Sequence, residues 1–247
     1  MEAQPDNRKR VLIGLGVAAA IVAVILAILA LTGDDDDVSS NATTTTTSTS
    51  ETTSTTEATT TTTFEGVDPD VPLYPDPTTS QRFSDPEAAA RAFATDFIGY
   101  TSPVFSDFEQ GDGRSGEIEV RSRPEAAPSV VLLRQLEDDA WYVIGVTTDS
   151  IRLTTPQIGD TLTSPQPLEG QAYAFEGTVN VLLYADGVQE PIGESIVTGR
   201  GDGVLGDFSG EIEFTNTTGA THGVLVLLSR SGEDGSPVEM SAIRVRL

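Results

Sequence analysis

The chain of 247 residues contains one histidine, His222, and no cysteine, so the chemistry open to it is narrow. A nucleophile–base pair would need an activated serine beside His222 and a carboxylate orienting the ring. No Gly-x-Ser-x-Gly elbow is present, and Thr221-His222-Gly223 reads as a surface loop. One histidine without thiolates also cannot build a His- or Cys-type metal centre. Carboxylates remain. Asp112 with Glu117 and Glu119, or Asp202 with Asp207, could offer oxygens to Ca2+, but no Asp-x-Asp-x-Asp-Gly loop organises them. Glu117 and Glu119 alternate with Ile118, and Glu211 and Glu213 with Ile212, as on the polar face of a half-buried strand. The reading is therefore no catalytic, cofactor-binding or metal-ligating residue. Arg200-Gly201-Asp202 has the form of an adhesion tripeptide and reads as a glycine-dependent turn. Asn41-Ala42-Thr43 and Asn216-Thr217-Thr218 fit the N-glycosylation pattern and read as incidental. Trp141, Phe175 and Phe214 are expected in the core. Exposure of one of them beside Tyr173 or Tyr184 would mark a sugar- or peptide-binding face.

The rest of the chain says where these residues work. Residues 11–32 are an unbroken apolar run, preceded by Arg8-Lys9-Arg10 and followed by Asp34 to Asp37, a solvated stop. As a helix the run reaches about 33 Å, enough for a hydrocarbon core of about 30 Å, and in lipid it must be helical to satisfy its own backbone. Basic flanks stay inside. Residues 1–10 are thus predicted as a cytoplasmic tail, 11–32 as a transmembrane helix with the lipid bilayer as its partner, and everything beyond as extracytoplasmic. A cleaved leader is the rival reading. Its apolar region is shorter and ends in a small-x-small site, which Ala30-Leu31-Thr32-Gly33 matches poorly. The absence of cysteine excludes a lipid-anchored one. The formal charge of −24, from 38 acidic against 14 basic residues, argues against nucleic acid as a partner. Lys9 is the single lysine, and with abundant Ala, Gly, Asp and Thr this suggests a high-GC bacterial genome.

Residues 33–83 are expected to be a disordered Thr/Pro-rich linker. Thr43 to Thr63 is nearly all Thr and Ser, too polar to offset its conformational entropy. Asp68 to Pro77 is proline-rich and expected to be extended. As a coil of about 50 residues the stalk would span about 40 Å, and fully extended about 150 Å. It is read as a bare spacer, with O-glycosylation of the threonines as the functional addition.

Residues 84–150 are predicted as a small α+β unit. Ser84-Asp85-Pro86-Glu87 is a helix start, with Ser84 or Asp85 as cap and Glu87 closing a capping box. Ala89, Phe93 and Phe97 recur on one face, and Gly99 is a stop. Strands are expected at 117–123, 130–136 and 141–147, with a turn at Glu137-Asp138-Asp139. At about 65 residues the unit is marginal alone and should lean on its neighbour. From residue 151 short strands alternate with turns: 151–154, 162–163, 168–175, 178–184, 192–197, 210–214, 223–229 and 238–247, with hairpin signals at Ala185-Asp186-Gly187 and Asp234-Gly235-Ser236. About seven strands in under 100 residues describe an antiparallel β-sandwich. Ser115 to Val120 and Ser209 to Phe214 share a Ser-Gly-Glu-Ile-Glu run, read as convergent strand chemistry with duplication as the sharper alternative. The fold class is mostly β: transmembrane helix, disordered linker, small α+β unit and C-terminal immunoglobulin-like sandwich.

Within 151–247 the residues Ile151-x-Leu153-x-x-Pro156-x-x-Gly159-x-x-Leu162-x-Ser164-Pro165 are followed by Leu168-x-Gly170-x-Ala172-x-x-Phe175-Glu176-Gly177-x-Val179-x-Val181. Gly206-x-Phe208, Ile212-x-Phe214 and Gly235-Ser236-Pro237-Val238 come later. This pattern resembles the bacterial spore-germination immunoglobulin-like domain, Gmad2. The resemblance implies an extracytoplasmic immunoglobulin-like module with no established catalytic activity. Pro167 departs from the pattern and should restrict its strand to an edge. Residues 84–150 are loosely similar to NTF2-like units. The function expected is non-catalytic binding to an envelope protein or wall polymer. A carboxylate-based wall-glycan hydrolase with an acid-lined cleft and a purely structural spacer subunit are the alternatives.

Overall fold

The computed structural model describes residues 67–247. The predicted cytoplasmic tail 1–10, transmembrane helix 11–32, Asp34 to Asp37, the sequon at Asn41 and linker residues 33–66 lie outside the described residues. Among the described residues no helix is long and apolar enough to cross a membrane.

One helix, α1 (Pro86–Ala92), begins where the Asp85 side chain accepts from the Ala88 N–H at 2.8 Å, with Pro86 in the first turn. Asp85, not Ser84, is the cap. The helix widens into a π turn, Phe93–Phe97, and stops at Gly99, whose φ of +86° suits glycine. Twelve strands follow: β1 (Val104–Phe105), β2 (Glu109–Asp112), β3 (Ser115–Arg121), β4 (Ser129–Gln135), β5 (Trp141–Thr148), β6 (Ile151–Thr155), β7 (Gln166–Ala172), β8 (Thr178–Ala185), β9 (Gly193–Thr198), β10 (Gly206–Ile212), β11 (His222–Arg230) and β12 (Pro237–Arg246). The short β1 and β2 have no hydrophobic alternation to announce them. Residues 162–163, expected as a strand, form none, and the adjacent Thr161 makes an isolated bridge to Arg246.

The strands form two antiparallel sheets, one ordered β1-β3-β4-β5-β12-β11-β8-β9 with β2 on β3, the other β10-β7-β6. The large sheet is covered on opposite faces at its two ends. Ala89, Ala90, Phe93 and Ala94 press on Val131, Leu133, Val143, Val224, Val226 and Met240. On the reverse face Val181, Leu183, Leu225, Leu227 and Val245 meet Leu168, Ala172, Phe208 and Ile212 of the small sheet. β11 serves both cores, so Val224 to Leu228 is an uninterrupted buried run rather than an alternating one. β12-β11-β8-β9 against β10-β7-β6 is the seven-stranded sandwich anticipated for the C-terminal segment. The turn between β5 and β6, at Asp149-Ser150, lies within a single compact unit, because β5 and β12 share the large sheet.

Further expectations need correction. β7 is the central strand of its sheet, not an edge. Its pairing with β6 reaches only as far as Glu169, so at Pro167 only β10 is alongside and no second ladder is broken. Residues 67–83, assigned to the linker, are instead a strap laid on the body. Pro72, Leu73, Pro75 and Pro77 are buried. The Val143 N–H donates to the Tyr74 carbonyl at 2.7 Å and Trp141 N–H to that of Phe83 at 2.8 Å. The Tyr74 ring lies 5.7 Å from Phe93 and 5.9 Å from Phe97. Proline content misled here because prolines also pack where few backbone donors need partners.

The strap fills a gap in the large sheet. β5 and β12 share a single registered pair, Ala242 with Val146, and the strap pairs with β5 at Trp141 and Val143, beyond that point. Its other end is clamped by Arg244, 1% exposed. The Arg244 guanidinium donates to Asp186 Oδ1 at 2.6 Å and Oδ2 at 2.5 Å, and to the Pro69 carbonyl at 2.8 and 3.0 Å. Asp70 takes Arg246 and His222 Nε2, the latter at 2.5 Å, and Asp76 accepts from the Gly187 N–H. His222 is thus the half-buried first residue of β11, not part of a free surface loop.

Removing the carboxylate that faces a buried guanidinium leaves an uncompensated charge. Asp186→Ala is therefore expected to lower unfolding free energy by about 3–5 kcal/mol in urea titration. A loss under about 1 kcal/mol would mean the pair behaves as an exposed one.

Candidate functional site

β11 runs from the strap end at His222 to Arg230, roughly 25–30 Å away at about 3.3 Å per residue. β8 and β12 run antiparallel to it, so Thr178 and Pro237 lie at that far end and Ala185 and Arg246 at the strap end. Three connections meet at the far end: the β7–β8 turn Tyr173 to Gly177, the β9–β10 loop Gly199 to Leu205, and the β11–β12 hairpin Ser231 to Ser236. The Gly199 N–H donates to the Gly177 carbonyl at 2.8 Å, Arg200 N–H to Ala172 at 3.0 Å, and Ala174 N–H to Arg200 at 2.9 Å. The backbones are too close for side chains. A Cβ on Gly199 would lie 2.4 Å from the Ala172 carbonyl oxygen.

Phe175 stands at the centre of this cluster, 62% exposed. It was expected in the core at the end of a strand. The strand stops at Ala172 instead, and the turn that follows sets Glu176 at φ +54°. Non-glycine residues there cost about 1–3 kcal/mol and persist only where the surroundings dictate them. The ring is braced from the hairpin side, since a Cβ on Gly232 would come within 2.3 Å of it. Val204, in the neighbouring loop, is 56% exposed. Tyr173, half-buried, lies two residues earlier in the same turn, and of the three aromatics expected in the core Phe175 is the one that is exposed. Trp141 and Phe214 are half-buried against the two cores, with Trp141 edge-on to Phe108 at 5.4 Å. Arg200 and Asp202 are hydrogen-bonded to each other, Nε to Oδ1 at 3.1 Å, so the tripeptide is closed on itself.

Residues 150–236 match Gmad2, the immunoglobulin-like domain of bacterial spore germination. No curated protein and no solved structure matches the chain. The Gmad2 match embraces β6 to β11 and all three connections of the far-end cluster. β12, which supplies Met240, Ala242, Val245 and Arg244, lies outside the matched range and completes the sandwich. The glycines of the Gmad2 segment have steric reasons. A Cβ on Gly170 would meet the Arg152 carbonyl at 2.3 Å and the Phe208 ring at 2.5 Å, and Gly177 has φ +73°. The matched family is an immunoglobulin-like domain.

The carboxylates singled out in the sequence are dispersed. Asp112 is occupied by the Arg114 N–H at 2.8 Å, Asp207 by Gln171 at 2.7 Å, and Asp202 by Arg200. Burial, with Glu109 and Glu119 nearby, pushes Glu117 up from its ordinary value. Among the described residues no three His, Asp or Glu side chains converge as metal ligands. The β3 and β10 runs are differently placed: Gly116 is forced by the Glu109 carbonyl and Phe108 ring at 2.4 Å, whereas a Cβ on Gly210 would meet only Val197 at 3.0 Å. A cleft of about 450 Å³ opens beside α1, lined by Glu87, Arg91, Phe105, Ser106, Asp107, Phe108 and Ile118. The Arg91 guanidinium sits 4.5 Å over the Phe105 ring.

Sequence reasoning missed one buried acid beneath the Gmad2 pole. Glu239, 6% exposed on β12, is hydrogen-bonded by Thr148. Burial raises its pKa, Ser150 and Thr148 oppose the rise, and Asp149 adds to it. Alternation on β12 placed it on an inward face, but nothing local marks a buried acid. A raised carboxyl binds protons more tightly folded than unfolded, so its contribution is fully present below the unfolded value near 4.5 and is lost as pH climbs through the folded one. Glu239→Gln is expected to flatten that part of the stability–pH curve and to equal or exceed the parent's stability at pH 7. Thermal melts from pH 4 to 8 check this; an unchanged slope would contradict it.

Proposed function

We propose that the protein is a single-pass, membrane-anchored extracytoplasmic binding module that docks without catalysis on a cell-envelope protein or wall polymer. The observation carrying this reading is the braced, exposed Phe175 at the strand ends farthest from residues 67–70, where the chain comes in from its N-terminal side. A tether from residues 11–32 through the Thr-rich stretch would join the body at residues 67–70 and leave the Gmad2 pole unattached to it. Anchoring both supplies high effective concentration and tolerates weak contacts. An aromatic side chain offers the largest apolar area for such contact. β9 adds Ile196, 63% exposed on an edge strand, a secondary surface of the kind that accepts partners.

The absence of cysteine makes the test clean. Val204→Cys and Ser80→Cys place single thiols at the pole and on the strap. In intact cells a membrane-impermeant maleimide is expected to label both. A thiol-directed cross-linker is expected to join the Val204→Cys protein, and not the Ser80→Cys protein, to a discrete envelope species. Failure of labelling would overturn the topology, and equal cross-linking from both positions would overturn the polar docking.

A further inference from the structure

We infer that the Phe175 pole takes a cationic segment of a partner protein, one that presents Lys or Arg beside an apolar side chain. This rests on the docking reading above and adds the partner's chemistry. The apolar element is Phe175, with Val204 in the adjoining loop. The charges around it are unequal. Glu176, Asp202, Glu233 and Asp234 lie in the three connections, against Arg200 and Arg230. Arg200 is paired with Asp202, whereas Arg230, whose Nη1 donates to the neutral Gly235 carbonyl at 3.1 Å, keeps its charge, so these six side chains sum to −2. The carboxylates of Glu176 and Glu233 form no ion pair among the described residues. The net charge around the ring is therefore negative, and two of the carboxylates without an ion pair, from different connections, bracket Phe175. Glu176 neighbours it in sequence, and Glu233 follows Gly232, on which the ring lies. An anionic polymer would meet repulsion here, and a neutral sugar could donate hydroxyls to the carboxylates but would leave their charge uncompensated. A cation next to a greasy side chain answers both features at once. The overall charge of −24 adds long-range attraction for the same partner.

The test uses the full chain in phosphatidylcholine nanodiscs and fluorescein-labelled nonapeptides of alternating lysine and leucine, lysine and serine, or glutamate and leucine. Fluorescence anisotropy is expected to show the lysine–leucine peptide binding most tightly. Phe175→Ser should weaken it about 10-fold or more, as loss of a buried aromatic anchor does. Glu176→Gln with Glu233→Gln should weaken it about 3-fold or more and flatten its salt dependence. Because Phe175 is exposed, melting temperature should not change in Phe175→Ser. Retention of full affinity by Phe175→Ser would show attraction to net charge alone and overturn the inference, as would equal binding of the glutamate–leucine peptide or no binding by any peptide. A positive cross-link from Val204→Cys together with any of those results would leave docking standing and remove only its cationic partner.

Discussion

The Arg244 guanidinium is the point on which the fold depends. It is almost wholly desolvated, and a charge in that position is tolerable only with near-complete hydrogen bonding. Asp186 supplies a bidentate carboxylate and Pro69 a carbonyl. The three come from β12, the β8–β9 turn and the strap, so the ion cannot be satisfied unless all are assembled. Beside it, Asp70 joins His222 and Arg246. The strap is therefore positioned by electrostatics at one end and by packing of Leu73, Tyr74 and Phe83 at the other.

That arrangement makes one body of two modules. A sheet joined only at Ala242 and Val146 would be free to splay. The strap bonds to β5 where β12 no longer does, and it brings apolar side chains under the helix. It also gives the molecule a direction. The N-terminal side of the described chain and the end of β12 lie together, and the connections carrying Phe175 lie at the other end of the same strands. The Gmad2 pole is free of that clamp, and its three loops are held by backbone hydrogen bonds through glycines.

Much of this architecture was legible in the residues. Asp85-Pro86 and Gly99 bound the helix through capping chemistry that acts within a few residues. Alternation placed β3 to β5, β8 and β9 within a few positions, because a period of two is dictated by the strand itself. What was not legible depended on partners far along the chain. The strap reads as linker because its apolar residues are interleaved with proline and aspartate, and their burial is decided by β5 and Arg244. His222 reads as exposed because Asp70 is distant in sequence. Phe175 reads as core because a strand aromatic ordinarily points inward, but the strand ends at Ala172 and leaves it in a turn.

By itself the sequence determined the local periods, the turns, the absence of thiol chemistry and the Gmad2-like pattern, since each is written in neighbouring residues or in composition. The tertiary structure alone decided which prolines are buried, how the sheet gap is filled, and which aromatic faces solvent. The reason is physical. Burial and charge compensation are properties of a site assembled from separate segments, and no single segment contains the free energy that settles them.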